Sequence, residues 1–210
     1  MLHKTAALIF TCAMVATAAQ AQERDRNELG FLLGGTVTPN LTIPSPPGDS
    51  IDFAAGVTFQ ATYARHLLDG TRARLSLELP FLAAPSIKAG SANLNVPLEY
   101  ASLFITPGFR LTFAPAGQIS PWVSVGGGYA LFEHASELLS GAPNNTDNRH
   151  TGAVQFGGGL DIRTPIRVLF PISLRLEVRD LYAGKPTFNV DTGGGFQHNV
   201  VFSGGFVVHF

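Results

Sequence analysis

The sequence predicts an all-β chain that closes as an eight-stranded antiparallel up-and-down transmembrane β-barrel. Three observations carry this expectation. Eight segments alternate apolar with small or polar residues, the period of two that gives a strand one oily face, and each is long enough for the ~9–11 residues a tilted strand needs to cross the hydrocarbon layer. The connections between them run long, short, long, short, long, short, long, as in barrels with long extracellular loops and short periplasmic turns. Charged residues are only 14% of the chain, below the roughly 25% usual in soluble domains. Yet no stretch of the mature chain reaches the ~18 consecutive apolar residues of a membrane helix.

Residues 1–21 read as a signal peptide: Lys4 supplies the positive n-region, Ala6 to Ala19 the apolar core, and Ala19-Gln20-Ala21 the small-x-small cleavage site. The barrel domain then spans 22–210. The single cysteine, Cys12, leaves with the leader, so the mature chain offers no disulfide, thiol nucleophile or thiolate ligand. Loss of Lys4 leaves 13 basic against 15 acidic residues, a charge near −2. This gives no electrostatic footprint for nucleic acid.

The first strand, Glu28 to Thr38, sets Leu29, Phe31, Leu33 and Val37 against Gly30, Gly34 and Thr36, with Leu32 out of pattern on the inner face. Pro39 to Asp52 holds four prolines and reads as a loop. Phe53 to His66 alternates cleanly as the second strand, and Asp69-Gly70 within Leu67 to Thr71 is a hairpin signal. The third strand sets Ala73, Leu75, Leu77, Leu79 and Phe81 against Arg74, Ser76, Glu78 and Pro80. A soluble sandwich would carry more lysine on its polar face than Lys88 and Lys185, both in expected loops.

Ala83 to Asn95 reads as the second long loop, and Glu99 to Phe113 as the fourth strand, with an irregularity at Pro107 because proline cannot donate to a ladder. After the connection Ala114 to Ser120, Pro121 to Glu133 is the fifth strand, with Trp122, Ser124, Gly126 and Gly128 opposite Val123, Val125, Tyr129 and Leu131. His134 to Arg149 is the third long loop. His150 to Arg163 is the sixth strand, Thr164 to Pro171 a short return, and Ile172 to Arg179 the core of the seventh. Ala183 to Gln197 is the fourth long loop. Asn199 to Phe210 is the eighth strand. Both termini then lie on the periplasmic side. Phe53, Phe81, Tyr100 and Tyr182 at the long-loop end, with Tyr63, Phe113, Trp122, Phe170 and Phe210 at the other, read as interfacial aromatic girdles.

With this pattern, the glycine-rich strand Pro121-Trp122-Val123-Ser124-Val125-Gly126 and the terminal Phe210, the mature chain resembles the small eight-stranded bacterial outer-membrane β-barrel family, the class that includes the OmpA barrel. The outward residues Phe206, Val208 and Phe210 resemble the C-terminal signal read by the barrel-assembly machinery. The resemblance implies an outer-membrane location, with outer-membrane lipid and lipopolysaccharide around the barrel and an extracellular ligand at the long loops. It specifies no activity. The periplasmic peptidoglycan-binding domain of two-domain relatives is not expected after Phe210.

Alternation turns Arg74, Glu78, Arg110, Asp161, Arg163, Arg175, Glu177 and Arg179 into the lumen. They could line a water-filled pathway or pair and plug it. Eight strands enclose only enough space for side chains and both signs are present, so an ionic plug is expected, with Glu177 as its hub between Arg175 and Arg179. His134 and Ser136, with Glu133 and Glu137 nearby, resemble the histidine base and serine nucleophile of the lipid A deacylases. Glu137 stands where that family has asparagine, however, and polar loop-edge residues are the simpler account. The histidines show no metal-ligand spacing. Asn144, Asn145, Asp147 and Asn148 could offer oxygens to calcium but read as a solvated loop. No cofactor or metal is expected. Gly126 to Gly128 and Gly157 to Gly159 lie inside strands, where they make room for bulky lumen neighbours rather than cradle a phosphate. The leading expectation is a non-enzymatic envelope protein with a structural or surface-interaction role. The alternatives are a narrow channel or carrier for a small or hydrophobic molecule, and a lipid A-modifying hydrolase.

Overall fold

The computed structural model describes residues 26–44, 48–167 and 169–210. The leader expected at 1–21 lies outside them. The elements are β1 (Asn27–Val37), β2 (Leu41–Thr42), β3 (Ser50–Phe53), β4 (Gly56–Asp69), β5 (Ala73–Gly90), β6 (Glu99–Ile105), β7 (Gly108–Phe113), β8 (Ile119–His134), β9 (Arg149–Arg167), β10 (Pro171–Gly184) and β11 (Phe196–His209). The described residues contain no helix.

Every pairing is antiparallel, and β1 pairs with both β4 and β11, so the sheet closes on itself. The wall runs β1, β4, β5, β6 with β7, β8, β9, β10, β11, eight strands in all, because β6 and β7 are the two halves of one strand. The break falls at Thr106-Pro107, where the ladder loses a donor. Pro107 still accepts from the amide of Gly127 at 3.0 Å. A Cβ on Gly126 would stand 2.8 Å from the carbonyl oxygens of Thr106 and Pro107, so this close approach needs a glycine.

The outer face of the wall is an apolar belt. Leu33, Phe59, Phe156 and Phe202 are each more than half exposed. An apolar surface this continuous suits hydrocarbon and not water.

Several expectations are corrected. The strands at the long-loop end run further than their simplest alternation. β5 continues through Ala83 to Gly90 across a bulge between Ala84 and Ile87, so the second long connection begins only at Ser91. Likewise β10 reaches Gly184 and β11 starts at Phe196, which shortens the last one. Phe53 belongs to β3, which pairs with β5 at Ala89 and is separated from β4 by Ala54 and Ala55.

The lumen is also not polar throughout. At the long-loop end it holds an apolar core of Leu82, Ala84, Ile87, Tyr100, Phe104, Phe132, Leu181 and Val201, capped by Leu41, Ile43, Ile51, Val96 and Phe188 from the connections. Phe53 and Tyr100 are part of this interior, 5.4 Å apart edge to face, and not of a girdle. Trp122 is likewise inside, 2% exposed. Its cross-strand partner is Gly159, where an added Cβ would meet the Trp122 ring at 2.7 Å.

Candidate functional site

Below the apolar core, toward the short turns, the lumen is filled by charge. Strand alternation brings Glu28 of β1, His66 of β4, Glu78 of β5, Arg110 of β7, Asp161 of β9, and Arg175, Glu177 and Arg179 of β10 to one interior layer. All are nearly or fully buried.

Arg179 is clamped between two carboxylates. Its Nε donates to Glu177 at 2.6 Å and its Nη1 to Glu78 at 2.8 Å. Arg175 forks onto Asp161, with Nε and Nη2 donating at 2.6 and 2.7 Å, and its Nη2 also reaches Glu28 at 3.2 Å. Arg110 donates to the same Oε2 of Glu28 and lies 4.0 Å from Glu78. His66 meets the remaining oxygen of Glu28 at 2.7 Å. The result is two sets of charge-assisted bonds, joined by the 4.0 Å ionic contact of Arg110 with Glu78, and such pairing is how buried ions offset their lost hydration. Amides extend it: Gln60 donates to Glu177 at 2.6 Å, and Gln155 accepts from Thr106 at 2.6 Å while reaching Glu78 at 3.4 Å.

The indole of Trp122 lies among the three guanidinium groups, with Arg110, Arg175 and Arg179 at 5.7, 5.3 and 5.2 Å from the ring centroid. Each is within cation–π range.

The structure thus gathers Glu78, Arg110, Asp161, Arg175, Glu177 and Arg179. It does not gather the other two expected members. Arg74 pairs with Asp69 at the short hairpin, and Arg163 is exposed, donating to the Pro115 carbonyl at 3.1 Å. Both lie too close to the turn end of their strands to reach the interior layer. The hub is Glu28 rather than Glu177, since Arg110, Arg175 and His66 all converge on it. The signal for Glu28 was present in the sequence, as it precedes Gly30 and Leu32 by even steps on the inward face. His66 follows Thr58, Gln60 and Thr62 in the same way.

Between this layer and the short turns lies an open vestibule of about 330 Å3, whose walls include Glu28, Arg74, Asp161, Arg163, Ser173 and His209.

The loop candidates do not form a comparable site. The ring of His134 packs edge to face on Phe188 at 5.4 Å, and Ser136 meets Asn144 through its carbonyl at 2.7 Å. Asn144 in turn donates to the Ala135 carbonyl and accepts from Thr146 at 3.0 and 2.7 Å, so it builds the loop. Among the described residues no group of three or more acidic, histidine or cysteine side chains has metal-binding geometry. Phe206 on β11 and Phe210, the residue just after it, are both exposed, and the Phe210 ring lies 6.0 Å from Phe170.

No family model and no curated protein matches the chain. Solved structures do. Neisserial surface protein A (NspA) superposes with a TM-score of 0.58 at 12% identity, over 88% of this chain and 97% of that one. The outer membrane protein OprG from Pseudomonas aeruginosa gives 0.48 at 13% identity, over 89% and 97%. Ail, the attachment invasion locus protein of Yersinia pestis, in complex with the heparin analogue sucrose octasulfate, gives 0.46 at 12% identity, over 88% and 99%. At such identities the likeness is one of fold, and the first superposition carries it.

Proposed function

From the fold of the small eight-stranded outer-membrane β-barrels, which this chain has, we propose an integral outer-membrane protein with both termini in the periplasm and a structural or surface-interaction role at its long-loop end. The observation that carries this reading is the double closure of the lumen. An ionic layer anchored on Glu28 and Arg179 is followed by a packed apolar core capped by the connections. A solute would have to break a network of buried ion pairs and then displace close-packed side chains, which argues against a standing channel.

Interaction is thereby left to the exterior of the long-loop end. Its connections are held by specific bonds, such as Asn189 to the Asn95 carbonyl at 2.6 Å and Asn93 to Asp49 at 2.7 Å. Asp49, Asp52, Glu99, Glu133, Glu137, Asp147 and Asp191 outnumber Lys88, Arg149 and Lys185 there. Such a rim favours a basic partner, or divalent cations that bridge to lipopolysaccharide phosphates.

Planar-bilayer recording tests the closure, and single-cysteine labelling on intact cells tests the sidedness. The expected results are no stable conductance, reaction of Asn145→Cys with an impermeant maleimide, and no reaction of Gly117→Cys. A large steady conductance would promote the channel alternative, and labelling at position 117 from outside would invert the barrel.

A further inference from the structure

We propose that the short-turn mouth of the barrel is an ester-cleaving site in which Ser173 is the nucleophile and His209 its base. The site lies at the end opposite the long loops and is independent of the role assigned to them.

Cross-strand register builds it from four adjacent strands. Arg163 on β9 stands opposite Ser173 on β10, and His209 on β11 stands opposite Glu28 on β1. Ser173 faces Val207 across the β10–β11 ladder, so His209 is its diagonal neighbour on the same inward face. All four side chains line the vestibule of about 330 Å3. The Oγ of Ser173 lies 3.0 Å from Nε2 of His209. The other ring nitrogen, Nδ1, is 3.8 Å from Oε1 of Glu28. Hydroxyl and imidazole are thus in hydrogen-bond contact, the pairing that activates a serine, while Glu28, whose Oε1 is bonded to His66 at 2.7 Å, acts on the imidazole through its charge and not through a hydrogen bond. A carboxylate beyond Nδ1 favours the tautomer with its proton there, which frees Nε2 to take the hydroxyl proton. Glu28 acts only through His209 and is a positioning residue. The His209 side chain also keeps 16% of its surface exposed, whereas those of Arg110 and Arg179 keep none, so the pair belongs to the open vestibule and not to the sealed layer above it.

The chemistry balances with water alone as co-substrate. The Oγ of Ser173 adds to an ester carbonyl carbon while its proton passes to Nε2 of His209. The bond from that carbon to the leaving oxygen then breaks, and the proton goes to the departing alcohol. Water, deprotonated by the same nitrogen, adds to the acyl-serine. Collapse of this adduct releases the carboxylic acid, and the proton returns to Oγ. Arg163 supplies the adjacent cation, so the preferred substrate is a carboxylic ester with a negative charge near the scissile carbonyl. The vestibule is at the small end of ligand pockets, which selects short acyl groups.

The test uses the full-length barrel in detergent, with heat-modifiable gel mobility confirming the fold of each variant. A fluorophosphonate probe should label the parent protein, and peptide mapping should place the adduct on Ser173. Ser173→Ala should lose the label, while Ser120→Ala, at another vestibule serine, should keep it. With 4-nitrophenyl butyrate and mono-4-nitrophenyl succinate as substrates, His209→Gln should lower kcat by about 10²–10⁴-fold, the usual worth of a general base. Glu28→Gln should lower kcat with KM unchanged, and Arg163→Gln should raise KM for the succinate ester alone. A folded parent that takes no label, an adduct mapped away from Ser173, or a folded Ser173→Ala variant that cleaves both esters at the parental rate would overturn the proposal.

Discussion

Arg179→Met is the most direct test of the ionic layer, because Arg179 is the single partner shared by Glu78 and Glu177. Its guanidinium is fully buried and makes bonds of 2.6 and 3.2 Å to Glu177 and of 2.8 and 3.4 Å to Glu78. Methionine keeps much of the volume and none of the charge. Glu177 would retain the Gln60 amide at 2.6 Å. Glu78 would retain only Gln155 at 3.4 Å and the distant Arg110 at 4.0 Å. Removing one member of a buried pair costs about 3–5 kcal/mol. With a urea dependence of about 2 kcal/mol per molar, the unfolding midpoint in detergent should fall by roughly 1.5–2.5 M. The assay is built in, since Trp122 is the only tryptophan in the chain and Arg179 covers it at 5.2 Å. Its emission therefore reports on the layer itself. Neutralising the stranded acid as well, in Arg179→Met with Glu78→Gln, should recover part of the loss, because the cost lies in the unpaired charge and not in the missing contact. A single variant within about 0.5 M of the parent, or a double variant with the two losses simply added, would refute an interior held by mutual ion pairing.

Two further outcomes follow from the packing. Gly159→Ala would place its Cβ 2.4 Å from the Leu176 carbonyl and 2.7 Å from the Trp122 ring, so it should destabilise by about 1–3 kcal/mol and shift the tryptophan emission; the outward control Gly158→Ala, with nothing nearer than 3.4 Å, should do neither. Phe210→Ala keeps the seam bonds of 2.8 and 2.9 Å between the backbones of Asn27 and Phe210 but removes the outward ring, so immunoblots of outer-membrane fractions should show a several-fold drop if that ring is the assembly signal, and unchanged levels would discard that role.

Closure of the barrel was legible in the sequence because its evidence is local. Period-two alternation, the Asp69-Gly70 hairpin and the alternating connection lengths each need only a short window. The partners inside the lumen were not legible, because they depend on registers between strands far apart in sequence. Glu28 meets Arg175 across 147 positions, and no window joins them. Glu177 looked like the hub because Arg175 and Arg179 flank it in sequence. The lateral stagger of the strands instead sends Arg175 toward Asp161 and Glu28. Trp122 and Tyr100 were misplaced for a different reason. Aromatics at strand ends suit an interface equally well from either face, and only parity separates a girdle from a core.

The same parity explains why the apolar core was missed, since alternation persists along each long strand while its sense inverts. On β10 the inward residues pass from Ser173, Arg175, Glu177 and Arg179 to Leu181 and Ala183, as the outward ones pass from Leu174, Leu176 and Val178 to Asp180. β5 changes in the same direction, from Ser76 and Glu78 to Leu82, Ala84 and Ile87 inside, and from Leu77, Leu79 and Phe81 to Lys88 outside. β8 goes from Ser120 and Ser124 to Ala130 and Phe132 inside, with Glu133 outside. One cause accounts for all three. Where the outer face meets hydrocarbon it must be apolar, and the narrow lumen takes the polar side chains. Beyond the hydrocarbon the outer face meets water or sugar, and burying apolar groups inside becomes the favourable arrangement, as in any soluble sheet with one wet face. β5 has 18 residues, against the ~9–11 that a tilted strand needs to cross, so several residues are left to build such a water-facing tier. On the proposed outer-membrane placement, the point on each strand where the outward row turns polar and the inward row apolar marks the upper edge of the hydrocarbon. The ionic layer then lies within the membrane-spanning half, where water cannot screen it and complete pairing matters most. The apolar core lies above it, and there it seals the barrel and fixes the loops into one defined surface.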